Sequence, residues 1–153
     1  MERRLSVIRR CLTTAALASL FFLPRIGAAE ETVVLVTSAA CPVSTISALD
    51  VRKVYLGVSL RLEGQNIRPL RVNNDEKLNQ VFFQSVVAMS KKSYERRLLS
   101  LALKFGTPRP IEYARLEDAV AALGRTRCSV VYGWSDDFDD AENVKVIRVL
   151  WQG

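Results

Sequence analysis

The chain has 153 residues, 49% of them hydrophobic and 25% charged, a length and balance that suit one ordinary globular domain and exclude both a disordered chain and a multi-domain enzyme. Its net charge of +6 would invite an acidic partner, but Arg3, Arg4, Arg9, Arg10 and Arg25 against Glu2 carry +4 of it within the first 29 residues. The remainder holds 17 Lys and Arg against 15 Asp and Glu, so nucleic-acid binding loses its main support.

Residues 1–29 read as a cleaved signal peptide: a basic stretch ends at Arg10, an apolar run extends from about Ala15 to Leu23, and small residues follow at Gly27, Ala28 and Ala29. The run is shorter than the ~20 apolar residues that span a bilayer, and Pro24 interrupts it, so no membrane span is expected after cleavage. Cleavage after Ala29 leaves one mature domain, residues 30–153, outside the cytoplasm. Cys11 departs with the signal, and only Cys41 and Cys128 reach an oxidising compartment. A disulfide between them would close a long loop, worth ~3–5 kcal/mol in the chain-entropy model. The alternative is two unpaired small core residues.

The mature chain opens with Val33 to Val36, a β-branched run too short for a helix and suited to a buried central strand. Ser47 then stands three residues before Asp50 and caps a short helix through Val54 and Tyr55, with Gly57 offering a left-handed exit. Leu60 to Val72 reads as a bent hairpin around Glu63-Gly64-Gln65-Asn66, its second strand covering Ile67 to Val72. Asn73 and Glu76 resemble a capping box opening a helix whose apolar face is Leu78, Val81, Phe82, Val86 and Met89. Another helix follows, capped by Ser90 or Ser93, with Leu98, Leu101, Ala102 and Phe105 inward, the Lys91 to Arg97 charges solvated, and Gly106 at its end. Thr107-Pro108-Arg109-Pro110 forces an extended loop. Leu116 to Leu123 gives a short helix, Cys128 to Tyr132 a strand stopping at Gly133, and Val144 to Leu150 a last strand. This alternation predicts an α/β sandwich around a central sheet.

The same residues narrow the chemistry. Histidine is absent, which removes the commonest neutral-pH general base and any Ser-His or Cys-His nucleophilic pair. Two distant cysteines do not make a tetrahedral zinc site alone, no phosphate-cradling glycine loop ending in Lys-Ser or Lys-Thr occurs, and the acids from Asp136 to Asp140 lack the spacing of a calcium loop. No cofactor, metal or catalytic residue is therefore expected. Helix starts remain as candidate oxyanion sites, because their free N–H groups and positive dipole ends favour anions. One is the segment of Ser44, Thr45 and Ser47; the other is Asn73 and Asn74, with Arg68 and Arg71 in the strand leading to it. Ordinary capping with surface arginines explains the same residues without a ligand.

Taken together, Leu49 to Gly57, Gly64, Ile67 to Leu70, Phe82-Phe83, Phe105-Gly106-Thr107-Pro108 and Ser129 to Gly133 resemble the phosphate-transporter substrate-binding family, and more closely its short, single-lobe periplasmic members. The resemblance implies one lobe of a type II periplasmic binding protein: a three-layer α/β sandwich with a central mixed sheet flanked by helices. It implies a periplasmic, non-catalytic protein that binds phosphate or another small anion, with an inner-membrane transporter as partner. Family members open the corresponding helix with a Ser-Gly-Thr-like turn; this chain has Asn73-Asn74-Asp75-Glu76, putting two carboxylates where phosphate needs donors. The second expectation is thus a degenerate lobe serving as adaptor or regulatory partner of a membrane sensor or transporter.

Overall fold

The computed structural model describes residues 30–153; the signal-peptide expectation for residues 1–29 lies outside the described residues. Five strands form the central sheet: β1 (Thr32–Ser38), β4 (Arg68–Val72), β5 (Ile111–Tyr113), β6 (Ser129–Trp134) and β7 (Val144–Gln152), in the order β5-β4-β6-β1-β7. β4 runs parallel to both β5 and β6, whereas β1 pairs antiparallel with β6 and β7. The sheet is mixed, as expected.

Both faces of the sheet are covered, and the two-residue side-chain period explains how one strand serves both. On β1, Val33 and Leu35 enter one apolar cluster while Val34 and Val36 enter the other. On β6, Val130 and Tyr132 face the first cluster and Val131 the second. The first lies beneath α1 (Ala48–Tyr55), α2 (Glu76–Val81) and α3 (Lys91–Phe105); the second beneath α4 (Leu116–Leu123). These are the three layers of the sandwich. Among the described residues, no helix is long and apolar enough to cross a membrane.

Local chemistry fixes the helix ends. Ser47 caps α1 by accepting from the Asp50 N–H at 3.0 Å, and Ser90 caps α3 by accepting from Ser93 N at 3.2 Å. At Gly57, φ is +82°, and an added Cβ would lie 2.9 Å from Leu101 Cδ1, so glycine both turns the chain after α1 and lets α3 pack against it. Cys41 and Cys128 are disulfide-bonded, S–S 2.05 Å, joining the loop after β1 to the residue before β6.

Several expectations are corrected. The turn at Glu63-Gly64 joins only β2 (Arg61–Leu62) and β3 (Gln65–Asn66), a separate two-stranded ribbon; Ile67 to Val72 is not the second arm of that hairpin, because β4 leaves it to enter the central sheet. Asn73 and Glu76 form no capping box: Asp75 caps α2, its Oδ1 accepting from Leu78 N at 3.0 Å, and the chain continues through a π-helical turn at Phe82–Val86. Phe105 points to solvent, 75% exposed, and the buried aromatic of α3 is Tyr94. A short edge strand, β5, emerges directly after Pro110, and Gly133 lies within β6 rather than stopping it.

Candidate functional site

The carboxyl ends of β4 and β6 and the start of α2 surround a cavity of about 410 Å³ lined by Asn74, Asp75, Glu76, Leu116, Trp134 and Asp137, among others. In open α/β sheets this is the usual place for a ligand. Its chemistry is acidic. Asp75 Oδ2 accepts from Trp134 Nε1 at 2.7 Å, and that bond, chiefly, holds the Asp75 carboxyl below its ordinary range, helped by the N–H groups of Leu78 and Lys77. Burial pushes the Asp137 carboxyl up, and the negative charges of Asp75, Asp136 and Glu117 add to the shift. Lys77 pairs with Glu31 and lies 5.7 Å from the Trp134 ring centroid.

The candidate oxyanion residues are spread over the molecule. Asn74 lines the acidic cavity, while Asn73 is exposed and its side-chain oxygen accepts from Asn79 Nδ2 at 3.2 Å. Ser44 and Thr45 are exposed in the loop before α1. Ser47 donates to Asp50 Oδ2 at 2.7 Å, and Lys53 pairs with the same carboxylate at 3.1 Å, so the start of α1 already carries an anion of its own. Ser47 and Lys53 hold the Asp50 carboxyl below its ordinary range. Arg68 lies at the amino end of β4, opposite Asn74, and lines a second cavity there.

Arg71 is neither at a helix start nor at the surface. Leu70 and Val72 join the α4-side cluster, and Arg71, between them, turns to the other face, where it is 3% exposed. Its guanidinium carbon lies 5.1 Å from the Phe82 and Tyr94 ring centroids and 5.3 Å from that of Phe83. Nη1 donates to Glu95 Oε1 at 3.3 Å and to Glu112 Oε2 at 3.1 Å. Burial works against the charge, yet the Tyr132 and Tyr94 hydroxyls and the Glu112 carboxylate outweigh it and raise the Arg71 pKa. The same burial raises the phenols, Tyr132 to about 12. Tyr132 Oη lies close enough to influence the guanidinium, but it, Tyr94 Oη and Arg71 Nε have no hydrogen-bond partner among the described residues. Stacking of Phe82 on Tyr132, centroids 4.6 Å apart, and the edge contact of Phe82 with Tyr94 complete an aromatic case around one cation.

No protein-family model matches the sequence, and neither does any curated protein. Solved structures do match. An ABC-type phosphate transport receptor from Vibrio cholerae superposes with a TM-score of 0.57 at 13% identity, over 78% of this chain and 46% of that one. The fold of the described residues is shared with about half of that receptor. A putative phosphate ABC transporter substrate-binding protein from Clostridium perfringens, solved with bound phosphate, gives 0.58 at 13% identity over 78% and 45%, and PstS from Borrelia burgdorferi gives 0.56 at 9% over 77% and 47%. The chain therefore spans about half the length of each binding protein it matches, consistent with a single binding-protein lobe.

Glu95, Glu112, Tyr94 and Tyr132 are the residues that sequence reasoning missed. Glu95 and Tyr94 lie inside a run read as a solvated charge cluster, and Glu112 lies in a strand hidden behind two prolines. The one available signal is Arg71 itself, a charged residue set between Leu70 and Val72 in an apolar strand.

Proposed function

We propose that the protein is a non-catalytic periplasmic lobe of the binding-protein type, acting as adaptor or regulatory partner of a membrane sensor or transporter rather than as a receptor for phosphate. The observation that carries this reading is the pairing of Arg71. A receptor needs donors free to meet an oxyanion, and the buried guanidinium already donates to Glu95 and Glu112. The cavity at the carboxyl ends of the strands adds Asp75, Glu76 and Asp137, which repel an anion. The matched proteins, named for phosphate transport, support a periplasmic setting and a transporter-linked role.

The competing reading is a small-oxyanion binder using Asn73, Asn74 and the α1 start at Ser44, Thr45 and Ser47. Calorimetric titration of the exported protein with phosphate, then sulfate and simple carboxylates, separates the two. The adaptor reading expects no saturable heat and no thermal stabilisation at millimolar anion. One-site phosphate binding would overturn it.

A further inference from the structure

The cavity that takes in Arg68 lies at the amino ends of β4, β5 and β6, at the far end of the sheet from the acidic one, and its lining has a different character. Its volume, about 410 Å³, falls in the range of small-molecule sites. Its apolar lining has buried residues at the floor, Val54, Ile67 and Leu70, and more exposed ones at the walls, Val58 and Leu60 after α1 and Ile111 on β5. Pro108 and Pro110 form part of the lip, and their fixed backbone angles leave it little freedom to lose when a ligand enters.

Two guanidinium groups reach this cavity. Arg109 pairs with Glu95, whereas Arg68 is exposed and has no ion pair among the described residues. The ends of α1 and α4 also meet the cavity, at Gly57 and Ala122, and the negative ends of both helices disfavour an anion deep inside. A ligand that satisfies all these surfaces has one anionic group, held at the rim, and one apolar part, held within.

We propose that this cavity binds a single-chain amphiphilic carboxylate, its head on Arg68 and its hydrocarbon chain against Val58, Leu60, Pro108 and Pro110. A guanidinium meets a carboxylate through two parallel hydrogen bonds, and the apolar walls give the chain a place out of water. The proposal is independent of the adaptor reading, because it uses the opposite end of the sheet and none of the residues around Arg71.

The test uses exported protein purified from cells making the full chain, titrated calorimetrically with decanoate below its micelle threshold and, separately, with decanamide. Decanoate should bind at one saturable site. Arg68→Gln should weaken decanoate roughly 10-fold or more, the scale of a lost charge-assisted contact, and leave decanamide unchanged. Val58→Trp, a change at a half-exposed wall residue, should weaken both. Absence of decanoate binding, or equal affinity in wild type and Arg68→Gln, would overturn the proposal. So would binding to vesicles of anionic phospholipid without binding of free decanoate, which would mean surface attachment instead of cavity entry.

Discussion

Arg71 faces Glu112 directly in the parallel register of β4 and β5, and its Nη1 donates to Glu112 Oε2 at 3.1 Å. The pair is unequal in its access to water. The Arg71 side chain is 4% exposed, against 42% for Glu112 and 35% for Glu95. Removing the arginine leaves two carboxylates that water can solvate; removing the carboxylates leaves a cation shut among aromatic rings. Arg71→Met should therefore cost no more than about 1–2 kcal/mol, whereas Glu95→Ala with Glu112→Ala should cost about 3 kcal/mol or more. Urea denaturation of the two variants checks the asymmetry, and equal losses would mean that the guanidinium is not isolated from solvent.

The Cys41–Cys128 bond closes a loop across a sequence separation of 87 residues. In the chain-entropy model this is worth about 4–5 kcal/mol. Reduction, or Cys41→Ala with Cys128→Ala, should lower the unfolding midpoint accordingly, and a thiol count on unreduced protein should find neither Cys41 nor Cys128 free.

Asp75 and Asp137 share one cavity and should respond to acid with opposite signs. The Asp75 pKa is lowered by its bond from Trp134, so its stabilisation is present above the ordinary carboxyl value and fades as pH falls through the lowered one. Asp75→Ala should cost about 1–2 kcal/mol at pH 7, mainly the lost cap, and less toward strong acid. The Asp137 pKa is raised by burial, so its protonated form is the favoured one in the folded state and the benefit is lost as pH rises through the raised value. Asp137→Asn should raise the melting temperature at pH 7 and change little below pH ~4. Thermal melts of both variants across this range test the pair.

Gly133 has no room for a side chain. A Cβ there would lie 2.9 Å from Phe138 Cε2 and Cζ, so Gly133→Ala must displace that ring from the α4-side cluster. A loss of about 1–3 kcal/mol is expected in urea denaturation, smaller when Phe138→Leu is made in the same chain.

The sequence made most of the fold legible because local chemistry and periodicity agree there. Ser47 caps α1 as its spacing indicates, Ser90, one of two candidate serines, caps α3, and α4 occupies Leu116 to Leu123 as its apolar pattern requires. Where reading failed, the deciding contact was distant in sequence. Arg71 looked like a strand residue leading to an anion site, and nothing local indicated that Glu95, 24 positions on, and Glu112, 41 positions on, would meet it. Tyr94 sits among five exposed or partly exposed charged residues of its own helix, so its full burial comes only from the packing of α3 on Phe82 and Phe83. The apolar pattern does not separate the ribbon from β4, because Ile67 continues it across the point where the chain changes sheets.

β1 and β7 lie side by side in the sheet, and Gly153 N donates to Glu31 O at 3.0 Å. The two ends of the described residues thus already meet, and a short peptide could join them without disturbing a strand. The Glu63-Gly64 turn, exposed and outside the central sheet, offers a place to open the ring. A circularly permuted domain cut there would keep every pairing of the central sheet and would display its new ends beside the Arg68 cavity, where an attached dye could report occupancy.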